Sequence, residues 1–134
     1  MVETFDEWLA KQDPRKHSNR PARTCVGRQF ETGAYRDTDD GKPDYEGYLS
    51  PLAVRRFGAY MLKHQRQSNG EMRGSDNWQL GIPKDQYLKS AWRHLLDVWL
   101  EHRGHASRDG LEEALCALLF NVQGYLHEVL KEQE

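Results

Sequence analysis

The chain has 134 residues, 37% of them hydrophobic and 30% charged, a length that holds one modest core but not two. So low an apolar share implies an ordered part smaller than the chain, a core completed in a homo-oligomer, or both. A net charge of −2 with both signs mixed argues against a nucleic-acid binder held by phosphate contacts, and the lack of an export signal or long apolar run argues against a membrane.

Cys25 and Cys116 have no partner at the short spacing of zinc or redox pairs, so a reduced, cytoplasmic protein is expected. Along the chain, Glu3 to Gln12 place Phe5, Trp8 and Leu9 on one side of a short helix, which Pro14 ends. From Asp13 to Asp40 no periodicity is sustained, and the segment reads as a loop or docked arm. Its basic run, Arg15, Lys16, His17, Arg20 and Arg23, suits either a solvated linker or contact with phosphate or a partner. Residues 1–30 are thus a short helix and basic arm, and 31–134 a single helical domain.

In "GKPDYEGY", Lys42, Asp44, Tyr45 and Glu46 lie between a Gly-Lys-Pro turn and a helix start. A lysine and carboxylates on such a segment suit phosphate and metal work and suit turn capping equally. Ser50 is a good N-cap and Pro51 fits the first turn of a helix reaching about Gln67, with Val54, Phe57 and Met61 on one face. "SNGEMRGSDNWQLGIPKDQY" then predicts a long ordered loop anchored by Trp78 and Ile82. Trp78 also suits stacking on a base, and Lys84 suits a phosphate.

Asp85 is expected to cap a helix from about Gln86 to His102, whose apolar face is Leu88, Ala91, Leu95 and Val98. A second row, Ser90, His94, Asp97 and Glu101, runs along its flank. The i, i+3, i+7 spacing of His94, Asp97 and Glu101 lets them meet one cation or a phosphate–metal complex, and oxygen ligands suit Mg²⁺. The alternative is a salt-bridged surface helix with Lys89, Arg93 and Arg103 as counter-ions.

The last helix starts at about Asp109 and is apolar on every side from Ala114 to Phe120, the pattern of a helix buried among others. Glu112, Glu113 and Asn121 on it need partners, because an unpaired buried carboxylate or amide costs several kcal/mol. Glu113 and Asn121 are placed to line one edge of a pocket against the Ser90 to His102 helix. Otherwise, first-turn dipole contacts account for Glu112 and Glu113, and a backbone bond for Asn121. No sustained strand alternation, solenoid repeat, P-loop or catalytic triad is present, and His64, His105 and His127 read as isolated. The fold class is all-α, a compact bundle of three main helices with a short N-terminal helix and long ordered loops.

The runs "ETGAYRDTDDGKPDYEGYLSP", "SDNWQLGIPKDQYLKSAWRHLLDVW" and "EEALCALLFNVQGYLHEVL" resemble the phage-associated family of dATP/dGTP diphosphohydrolases over roughly Glu31 to Leu130. The resemblance implies a helical domain that hydrolyses deoxypurine triphosphates to monophosphate and pyrophosphate with a divalent metal in a phage nucleotide pool. Its pattern falls on Gly41, Lys42, Asp44, Tyr45, Asn77, Trp78, Gly81, Pro83, Arg93, His94, Glu113 and Asn121. The paired E-x-x-E and E-x-x-D signature of MazG-type pyrophosphohydrolases is absent at the expected separation.

The expected mechanism draws Mg²⁺ or Mn²⁺ ligands from Asp97, Glu101, Glu112 and Glu113, the metal bridging phosphate oxygens and polarising a water. Lys42 and Arg93 neutralise developing charge, His94 or Glu46 is the general base, Glu113 is catalytic, and Trp78 and Asn121 contact base or sugar. Asp44, Tyr45, Asn77 and Lys84 complete the substrate contacts. The rival expectation is a non-catalytic phage protein that regulates by binding a host protein or a nucleotide, favoured by the missing signature, the basic arm and the aromatic N-terminal helix.

Overall fold

A computed structural model describes residues 2–11 and 27–134. The basic run Arg15 to Arg23, Pro14 and Cys25 lie outside the described residues, as do the side chains of Phe5 and Leu9. The protein is all-α, and 58% of the described residues are helical, the 3-10 turn included. The described residues form α1 (Phe5–Lys11), β1 (Arg28–Gln29), β2 (Tyr35–Arg36), α2 (Tyr45–Tyr48), α3 (Pro51–His64), α4 (Lys84–His102) and α5 (Leu111–Lys131). The chain divides into two compact units, Met1–Tyr48 and Leu49–Glu134.

In the first unit, α1 opens with a reciprocal cap. Thr4 Oγ1 accepts from Glu7 N–H at 3.1 Å and the Glu7 carboxylate accepts from Thr4 N–H at 3.0 Å, which satisfies two amides that the first turn leaves open. The reading of Asp13 to Asp40 as all loop is corrected by the antiparallel pair β1–β2, with Arg28 opposite Arg36 and Gln29 opposite Tyr35. The pair is too short to show alternation, and its cross-strand bonds, not its sequence pattern, define it. The four-residue α2 is started by Asp44, whose Oδ1 accepts from Gly47 N–H at 3.0 Å.

In the second unit, α3 begins as expected: Ser50 Oγ accepts from Ala53 N–H at 3.2 Å, and Pro51 occupies the first turn. It ends at His64, short of Gln67, because Gln65 and Arg66 turn into a small antiparallel bridge, Arg66 opposite Met72. The long loop holds a 3-10 turn at Asn77–Leu80, closed by Gly81 at φ 120°, a conformation that an L side chain resists. Helix α4 starts at Lys84 after Pro83; Asp85 lies in its first turn, where its charge favours the helix dipole, and does not cap it.

Helices α4 and α5 form a hairpin, pinned at its open end by Lys84 and Glu132 (2.8 Å). Tyr87 lies against Gly124, where a Cβ would overlap the phenol ring. Tyr87 is 1% exposed. Helix α3 packs on α5 through Tyr60, Cys116 and Ala117, with Phe57, Met61 and Phe120 around them.

The expected apolar row of α4 is split, Ala91 and Val98 being partly buried and its two leucines not. Leu88 and Leu95 are exposed, together with Trp92 (65%) and Trp99 (58%), while Asp97 is buried at 7% and Ser90, His94 and Glu101 are partly buried. The polar row therefore lies on the inner side of the hairpin. On α5, the helix read as enclosed on every side, Leu115, Leu119, Val122 and Leu126 are also exposed. Ala114, Ala117, Asn121 and Gly124 take the inner side, because small residues let the two backbones approach.

Candidate functional site

A cavity of about 250 Å³ opens between α3, the loop after it and α5. Its aromatic wall is Tyr60, Trp78 and Phe120, and its polar rim includes His64, Arg73 and Asn77. Trp78 meets Phe120 edge-on at 6.5 Å between centroids and His127 at 4.8 Å, so the 3-10 turn is docked on α5 by the ring that also forms the wall. Trp78 thus anchors the loop, as expected, and lines the cavity as well. Of the residues expected to bind substrate, Asn77 and Trp78 are here together.

Glu113 lies beside this cavity. Arg56 Nη2 donates to its Oε1 at 3.0 Å, Lys63 Nζ is 3.5 Å from Oε2, and His64 Nε2 is 3.7 Å from the same oxygen. The Arg56 hydrogen bond, more than the Lys63 charge, holds the Glu113 carboxyl below the usual glutamate range, so it is ionised at neutral pH. Arg56 Nε also donates to Glu112 Oε1 at 3.0 Å. Because His64 lines the cavity, with its ring tilted against Tyr60 at 4.3 Å and its Nε2 near Glu113, it connects the cavity to the carboxylate. Neither His64 nor His127 is isolated, contrary to expectation. Sequence spacing gave no sign of this, since α3 and α5 are remote in the chain. One signal was readable: α3 carries Arg55, Arg56 and Lys63 and no carboxylate of its own.

The polar row of α4 makes a separate arrangement. Arg108 donates to Asp97 Oδ2 from Nε at 3.1 Å and from Nη2 at 2.5 Å. Glu101 Oε1 accepts from Ser107 N–H (2.9 Å) and Oγ–H (2.8 Å), and Ser107 Oγ accepts from Gly110 N–H (3.1 Å). These bonds shape the α4–α5 turn and lower the Glu101 pKa, the Ser107 amide contributing most. His94 Nδ1 is 3.9 Å from Asp97 Oδ2, too far for a hydrogen bond. Burial, reinforced by the Arg108 charge, lowers the His94 pKa and keeps its imidazole neutral at neutral pH. The partners are thus Ser107 and Arg108, not the expected counter-ions Lys89, Arg93 and Arg103.

The four carboxylates expected to share a metal are thus divided. Asp97 is bound to Arg108, Glu101 to Ser107, and Glu112 and Glu113 to Arg56. Among the described residues no three His, Cys, Asp or Glu side chains converge as a metal site, so this set does not fit one shared Mg²⁺. Asn121 and Glu113 do not share a pocket edge either. Asn121 is buried in the α4–α5 groove, its Nδ2 donating to Ala117 O at 2.7 Å, whereas Glu113 faces α3. Lys84 is paired with Glu132, and Arg93 is exposed. Lys42, Asp44, Tyr45 and Glu46 belong to the first unit and are all exposed there.

No family model matches this chain, and neither does any curated protein or solved structure. No helix of the described residues is long and apolar enough to cross a membrane.

Proposed function

We propose that the protein is a homo-oligomeric hydrolase of deoxypurine nucleoside triphosphates, releasing monophosphate and pyrophosphate in a phage nucleotide pool within the cytoplasm. The observation that supports this reading is the adjacency of an aromatic cavity and an ionised carboxylate within a cluster of cations. A volume of about 250 Å³ suits one heterocyclic base better than a whole nucleotide. In this reading the base stacks at Trp78 with Asn77 at its edge, and the phosphates run past His64, Arg73 and Lys63. Glu113 then acts as general base on a water, with His64 orienting the proton transfer.

Magnesium or manganese belongs to this reading as the ion that a triphosphate carries, not as the tenant of a ready-made protein quartet. His94, Arg93, Lys84, Asn121 and the Lys42 to Glu46 segment have no assigned contact in it. A second reading is favoured by one observation: Arg56 already neutralises Glu113, which suits a module that binds a nucleotide or host protein without turning anything over.

The two are separated by incubating the purified chain with Mg²⁺ or Mn²⁺ and each common dNTP while monitoring pyrophosphate and monophosphate. Release from dATP and dGTP supports the hydrolase. Saturable nucleotide binding with no product from any dNTP would establish the binder and end the enzymatic reading.

A further inference from the structure

We infer that the exposed apolar face of the α4–α5 hairpin is the contact surface for a second copy of this chain, two hairpins closing into a four-helix bundle about a two-fold axis. This specifies the oligomer named above and stands independently of the nucleotide reading.

Helix α4 turns its largest apolar side chains outward. A helix hairpin ordinarily turns its leucines inward, yet here Leu95, Trp92 and Trp99 point out while Asp97 is buried. The Arg108–Asp97 and Ser107–Glu101 bonds hold the polar row inside. Rolling α4 to bury its leucines would break both. The outward face is therefore fixed in place and must be covered from elsewhere.

An aromatic side chain offers about 150–250 Å², so Trp92 and Trp99, at 65% and 58% exposure, leave on the order of 250 Å² open between them. With the leucine and valine rows of both helices the face reaches roughly 800 Å², which is one partner's share of a standard stable interface and above the patch a monomer ordinarily leaves open.

The groove between the helices, about 430 Å³, is lined by aliphatic and tyrosine side chains with Asn121 at its floor and no charged group. Beside it, a hollow lined by Trp92, Leu95, Leu96, Val98 and Trp99 has a single titratable lining residue, His102, with exposed Lys89 and Arg103 at its margin. An apolar centre with charge confined to its margin carries little code for a charged partner, and it can be complementary to itself under two-fold rotation. Each copy's Val122 and Leu126 ridge then fills the other's groove.

Sedimentation equilibrium of the full chain tests this. The expected mass is twice the 15.7 kDa of the chain at micromolar concentration. Trp99→Glu and Leu126→Glu should each weaken self-association at least 100-fold, and Arg55→Ser on α3 should leave it unchanged. Should the charged variants lose their helical circular dichroism, the wild-type chain still decides: on dilution, tryptophan emission should shift red at the same midpoint at which the mass halves. A monomer at 100 µM overturns the proposal, whatever its emission. So does a dimer that both charged variants leave intact.

Discussion

Arg108 closes on Asp97 through two donors to one carboxylate oxygen, at 2.5 and 3.1 Å, and the carboxylate it holds is the most buried acid among the described residues. The guanidinium comes from the turn after α4 and the carboxylate from the middle of that helix, so the pair fixes both the turn and the roll of the helix. Arg108→Met should lower the urea midpoint clearly, because it leaves a buried carboxylate alone. Asp97→Leu combined with Arg108→Met should recover much of the loss. A double variant no more stable than Arg108→Met would show that the pair does not set the fold.

Tyr87 and Gly124 give a prediction of opposite signs at one contact. A methyl at Gly124 would overlap the Tyr87 ring, and Gly124→Ala should cost about 1–3 kcal/mol as overpacking does. The Tyr87 hydroxyl is buried with no hydrogen-bond partner. Tyr87→Phe should therefore stabilise the protein by about 1 kcal/mol, since it removes an unpaired polar group without leaving a void. Chemical denaturation of the two variants measures both.

The cavity reading assigns Trp78 to base stacking, worth about 1–3 kcal/mol per base. Trp78→Phe should weaken dATP affinity several-fold and retain the docked turn, while Trp78→Ala should weaken it further and lower the melting temperature. Calorimetric titration gives the affinities. Unchanged binding in both variants would take the base out of this cavity.

Glu113→Gln should reduce pyrophosphate release about 100-fold or more, the usual contribution of a general base. It should also change the acid limb of the stability profile. The Glu113 pKa is lowered in the folded state, so its stabilisation is complete above the unfolded carboxyl range near 4.5 and is lost as pH falls through the folded value. The Gln variant should lack that part of the acid-induced loss, which thermal melts between pH 3 and 7 will detect.

For His94 the window lies higher. Its folded pKa is lowered from 6.5, so the unfolded chain binds the proton more readily and stability falls as pH drops through 6.5 toward the folded value. His94→Gln should flatten the stability profile in that interval. A slope identical to the wild type would mean that burial and Arg108 do not hold the imidazole neutral.

How much of this was legible in advance follows from the range of each interaction. The start of α3 was readable because Ser50 and Pro51 act within one turn, and the all-α class was readable because the helical spacing persists over α4 and α5. The polar row was visible too, as Ser90, His94, Asp97 and Glu101 on a common side of α4. Periodicity establishes which residues share a face, but says nothing about what the face meets.

That second question was decided in three dimensions. Leu88 and Leu95 read as core and are exposed, while Asp97 reads as a flank and is buried, because Arg108 and Ser107 return from the turn to satisfy the acids of the inner side. Glu113 was singled out for its place on an apolar helix, but its partners Arg56, Lys63 and His64 lie about fifty residues earlier and become neighbours only when α3 packs on α5. By itself the sequence determined the helices and the grouping of side chains on them, since both depend on local bonds and a fixed 3.6-residue period. Only the tertiary structure decided which group is enclosed, because that depends on charge pairs and close backbone contacts between segments that no spacing rule connects.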